Sequence, residues 1–107
     1  MLDSAGAAAA AVLMLVGLQT EVLPPAERQA ELLHRLKHDC GSCHGMTLKG
    51  GLGPSLLPEA LAGKDEAGLA AIVLHGVPGT PMPPWGVEIS ATEAAWLVER
   101  LKQGITP

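Results

Sequence analysis

Cys40-Gly41-Ser42-Cys43-His44 is the stretch from which the fold follows. Two cysteines three apart, with histidine directly after the second, form the attachment pattern of a c-type haem. The spacing has a mechanical basis. On a helix, positions i, i+3 and i+4 lie on one face, so both thiols and the imidazole point to the same side. Each thiol can add to a haem vinyl group while the imidazole reaches the iron from below. The chain has no other cysteine, so no other thiol competes for the role.

Three other uses of these residues are weaker. A thioredoxin-like redox pair wants a βαβ context, and nothing before Cys40 reads as a strand. A zinc site needs four ligands. Cys40, Cys43 and His44 could be joined by one of His34, His38 or His75, but no second ligand pair stands at zinc-like spacing. A disulfide across two residues closes too short a loop to constrain much of the unfolded chain.

Composition supports haem independently. The 107 residues fit one domain, yet include no Phe, no Tyr and only two Trp. Domains this small are marginal without a staple, and a covalent haem would serve as the centre of the core. Net charge is −4, made more negative by ionised propionates. Nucleic-acid binding, which calls for a basic patch, is excluded. Electrostatically oriented encounters with a protein partner fit the charge better.

Ala5 to Leu18 is a nearly pure apolar run of 14 residues. That length suits a signal-peptide core rather than a membrane span. No positive charge precedes it and no Ala-x-Ala site follows, so an uncleaved apolar helix is the alternative. Residues 1–20 are set apart as a signal peptide or apolar leader, and 21–107 form the domain, with no membrane span in the mature protein.

Pro24-Pro25 suits a helix start, and Ala26 to about Asp39 reads as helix. Leu32, Leu36, Cys40 and Cys43 extend one apolar stripe into the motif. His34 and His38 lie on this helix and read as solvent-facing rather than metal-binding. Gly50-Gly51-Leu52-Gly53-Pro54 lacks the Gly-Lys-Ser/Thr ending of a phosphate loop. Its glycines would let backbone approach a flat ligand. Pro54, ten residues after His44, is placed to offer its carbonyl to the second imidazole nitrogen.

Asp65 reads as the N-cap of a helix to about His75, with Leu69, Ile72 and Val73 inward and Gly76 at its end. His75, at its tail, reads as a surface residue rather than an alternative iron ligand. Val77-Pro78-Gly79-Thr80-Pro81-Met82-Pro83-Pro84-Trp85 follows, with four prolines between 78 and 84. It can be neither helix nor central strand, and is stiff and extended. Methionine's usual merit in a core is flexibility, so one held in so stiff a frame points to a sixth iron ligand. A Met opposite a His raises the reduction potential. Met46 sits too near the motif for that role. Trp85 either donates its indole N–H to a propionate or covers apolar surface. Ser90-Ala91-Thr92-Glu93 is a capping box opening a helix to about Gln103. Ala94, Leu97, Val98 and Leu101 form its stripe, Trp96 flanks it and Gly104 follows. No strand signal is present, so the fold class is all-α.

Taken together, Cys40-Gly-Ser-Cys43-His44, Gly53-Pro54, Met82 in its proline-rich loop and Ala95-Trp96-Leu97 resemble a class I c-type cytochrome over about residues 26–104. That resemblance implies three to four helices around one covalent haem c, first and last helices crossing, His44 and Met82 on the iron. More narrowly, 44–54 and 78–85 look like the small cytochromes encoded beside the haem-d-containing nitrite reductase of denitrifying bacteria. The resemblance implies an exported, periplasmic single-electron carrier whose partner is that reductase or its haem d maturation machinery. A haem enzyme or nitrogen-oxide sensor would need Met82 absent from the iron or readily displaced. No candidate acid or base adjoins Met82, and covalent attachment argues against haem delivery.

Overall fold

The computed structural model describes residues 23–105. The apolar leader expected over residues 1–20 lies outside them. Every regular element among the described residues is helical, as expected: α1 (Ala26–Arg35), a π turn (Leu36–Cys40), α2 (Gly41–His44), α3 (Pro58–Leu61), α4 (Glu66–His75) and α5 (Ala91–Gln103). The first three run into one another without leaving helical backbone angles, which leaves four helical bodies.

The first rod runs on past Asp39 through the motif to His44, as the one-face reading of Cys40, Cys43 and His44 requires, but it is not α-helical throughout. The Gly41 N–H reaches back five residues to the Leu36 carbonyl, so one extra residue enters that turn. Everything beyond it is rotated back by about 100°, one residue's worth at ~3.6 per turn. In an unbroken ideal helix Cys40 and His44 would stand about 80° and 120° from Leu32; the π turn brings both within about 20°. The expected stripe ran through Cys40 and Cys43 on an unbroken period. Instead the π turn aligns Cys40 and His44 with it. Leu32 and Leu36 are buried, and both cysteines are half-buried.

The core is aliphatic. It joins Leu32 and Leu36 of the rod, Leu48 of the following loop, Leu61 of α3, Ala70 of α4 and Ile89. From α5 come Ala94, Leu97, Val98 and Leu101, the whole stripe expected from sequence. Each fully buried leucine or valine contributes roughly 1.5–3 kcal/mol. Helix α5 packs against α4, α3 and α1.

Caps fix the helix ends. Ser90 and Glu93 form the reciprocal capping box, with N–H···O distances of 3.1 and 2.9 Å. Asp65 accepts from the Gly68 N–H at 2.8 Å. Helix α3, unforeseen in the sequence, begins with Pro58, where a missing N–H costs nothing.

Helix α4 corrects one assignment. Leu69 and Val73 do pack on the core, joined by Ala70 and Leu74, but Ile72 is 43% exposed. The segment Glu66–His75 is apolar on nearly every side, so periodicity could not choose its buried face.

Candidate haem site

A helix leaves its last carbonyls without partners, and the loop after His44 folds back to supply them. The Gly53 N–H donates to the Cys43 carbonyl and the Gly50 N–H to the His44 carbonyl, both at 2.8 Å. This return is tight enough to demand glycine. A Cβ on Gly51 would lie 2.8 Å from the Cys43 carbonyl oxygen, and one on Gly45 would lie 2.7 Å from that of Gly50. Leu48 anchors the loop in the core at 1% exposure, despite a positive φ of 63°. Sequence reading passed over Leu48, whose one signal is an apolar residue set between Thr47 and Lys49.

The loop also fixes His44. Its Nδ1 lies 2.7 Å from the Pro54 carbonyl oxygen. A carbonyl only accepts, so Nδ1 carries a proton, and Nε2 is the nitrogen left for a metal. Gly53 lies flat against the same ring: a Cβ there would come within 2.7 Å of Cε1 and 2.8 Å of Nδ1. The close approach this glycine loop makes is to the imidazole. A histidine held in one tautomer and orientation by a backbone carbonyl is the usual state of a metal-ligating histidine.

Cys40 and Cys43 are unpaired. Burial first, and then the neighbouring Asp39 carboxylate, push the Cys40 thiol up to about 11. It is a thiol rather than a thiolate at neutral pH. Among the described residues no cluster of three or more His, Cys, Asp or Glu is placed to enclose a metal ion. The half-buried thiols and the oriented imidazole on one turn fit a haem. Haem supplies an iron that exchanges one electron.

Met82 and Trp85 stand in the second loop, and both are half-buried. The Val77 N–H donates to the Met82 carbonyl at 3.1 Å, and the Thr80 hydroxyl accepts from the Met82 N–H at 3.3 Å. The Trp85 and Gly86 N–H groups donate to Val73 and Leu74 of α4, both at 3.0 Å. At Gly76 (φ 69°) the chain passes so close beneath the loop that a Cβ would lie 2.8 Å from the Met82 carbonyl oxygen. Met82 is thus held on both sides by its own loop, at Val77 and Thr80, while Trp85 and Gly86 tie the loop's end to α4. Trp85 packs on the core. His75 is exposed, as expected.

His44 and Pro54 are brought into contact, whereas Met82 bonds within its own loop and Trp85 bonds to α4. Two arginines that sequence reading passed over link the two halves. Arg28 of α1 grips Glu93 with Nε at 2.6 Å and Nη2 at 3.1 Å, and donates to the Glu88 carbonyl at 2.8 Å. Arg35 binds the Glu88 carboxylate at 2.8 Å, with Asp39 at 3.6 Å. Their spacing of seven on one helix edge was the available signal.

Comparison with known proteins agrees with this geometry. Residues 27–99 match the family model described as cytochrome C oxidase, cbb3-type, subunit III. Cytochrome c55X of Pseudomonas aeruginosa is 59% identical over 81 residues, 76% of this chain and 68% of that protein. The solved structure of the c-type cytochrome NirC is 60% identical with a TM-score of 0.77, covering 78% of this chain and all of that one. A part of the dihydro-heme d1 dehydrogenase NirN is also similar. There the identity is 39% and the TM-score 0.59, over 70% of this chain but 16% of that one. The chain belongs to the cytochrome c55X family of c-type cytochromes and carries one haem c, bound covalently through Cys40 and Cys43.

Proposed function

We propose that this cytochrome is a periplasmic single-electron carrier of denitrification, with His44 and Met82 as axial ligands of its iron. The observation that carries the reading is the pair of braced ligand loops. His44 is oriented by the bond from Nδ1 to the Pro54 carbonyl, which leaves Nε2 as the nitrogen available to a metal. Met82 is held by hydrogen bonds on both sides and by the close passage of Gly76. Ligands fixed by backbone stay in place in both oxidation states, and an iron held from two sides has no open position for catalysis. A reading with a displaceable distal ligand asks this braced loop to open. Met46 is a poor substitute, because its sulfur lies against Gly41 on the same turn as the motif.

The same reading takes residues 1–20 as an export leader and 21–107 as the haem domain. No helix among the described residues is long and apolar enough to cross a membrane. Trp85 borders the haem, its indole N–H available to a propionate. The partner is the haem-d-containing nitrite reductase or the machinery that matures haem d. Similarity to a part of a dihydro-heme d1 dehydrogenase supports the second alternative. Stopped-flow mixing of the reduced holoprotein with each purified partner separates them. Exchange with the reductase at its turnover rate assigns the first role. Slow exchange there but rapid exchange with the dehydrogenase assigns the second, and failure with both overturns the carrier reading.

A further inference from the structure

One pair of metal-ligating side chains takes no part in the haem site. His34 and His38 both lie exposed on the rod, with ring centroids 4.3 Å apart and planes tilted by 44°. The rings neighbour one another without lying parallel. Histidines at i and i+4 on one helical face are a recurrent bidentate arrangement for a divalent ion. Nitrogens bound side by side at metal distances of ~2.0–2.1 Å must lie about 3 Å apart, which exposed rings so placed can reach by side-chain rotation. Arg35, one of the two cations between them, has its charge held against Glu88 and Asp39.

We infer that His34 and His38 form a second, solvent-open metal site that takes a late first-row divalent ion, Cu2+ above the others. Only two protein ligands are offered, so water completes the shell. Imidazole nitrogens suit such ions, and among them Cu2+ binds most tightly to a given donor set and accepts a tetragonal mixture of nitrogen and oxygen. In the holoprotein both thiols are thioethers, so no thiolate competes for the ion. Sequence spacing alone read these residues as plain surface. The closeness of the rings changes that reading, independently of what the haem does.

The test titrates oxidised holoprotein with CuCl2 in a non-coordinating buffer at neutral pH, following denaturant unfolding and the copper electron-spin resonance spectrum. One ion binds, the unfolding midpoint rises because the folded state alone holds the pair at this spacing, and the spectrum shows nitrogen hyperfine structure. His34→Ala and His38→Ala each lose the rise and the nitrogen pattern, whereas His75→Ala keeps both. A wild-type protein with no rise, or a rise that survives in both single variants, overturns the site. The haem absorption bands stay unchanged throughout, which separates this result from any failure of the axial-ligand assignment.

Discussion

At the scale of single residues, the imidazole of His44 is clamped between a carbonyl that sets its tautomer and a glycine that admits no side chain. The Pro54 partner was legible from its spacing of ten residues. The Gly53 contact was not, because it depends on how the returning loop meets the end of its own helix. Gly53→Ala would set a methyl 2.7 Å from Cε1 of the ring. Overpacking of this kind costs about 1–3 kcal/mol, so the holoprotein's denaturant midpoint falls while haem attachment persists. Leu48 was equally hidden. Its burial at positive φ places about 1–3 kcal/mol of backbone strain in the loop, held by core packing that no local pattern records.

At the scale of elements, the caps were the most legible feature, since Ser90 with Glu93 and Asp65 act within one turn. The π turn at Leu36–Cys40 was illegible, because the residues around it keep an ordinary helical composition. The face of α4 was illegible for a different reason: its apolar residues surround it. Glu93 belongs to two elements at once, capping α5 and receiving Arg28 from α1. The Arg28 hydrogen bond first, then the Ser90 N–H, lower its carboxyl from 4.5 to about 2. A depressed carboxylate stabilises the fold above its unfolded value, and that contribution is lost as pH falls through the folded one. Glu93→Gln is therefore expected to be less stable by about 1 kcal/mol at neutral pH. Equilibrium unfolding should show the gap narrowing below pH 4.5 and closing near about 2.

At the scale of the whole molecule, a core of leucines, valine, isoleucine and alanines must hold a chain with no Phe or Tyr. The α5 half of that core was readable from periodicity, while Leu48, Leu61 and Ile89 come from loops and a short helix whose burial only the assembled fold decides. Leu97→Ala is expected to cost about 2–5 kcal/mol, read from the shift in thermal unfolding of the holoprotein. Replacing both Cys40 and Cys43 by Ala removes the covalent staple, and circular dichroism should then show loss of the cooperative transition. Arg28 and Arg35 tie the motif helix to the segment beyond Met82, so the His44 and Met82 loops are set by one frame. The most direct measurement is the far-red absorption of the oxidised holoprotein, where iron–methionine sulfur coordination gives a weak band. The wild type and Met46→Ala are expected to show it, and Met82→Ala to lose it with a markedly lower reduction potential. A high-spin wild-type spectrum, or a band that survives Met82→Ala and disappears in Met46→Ala, would contradict the axial assignment.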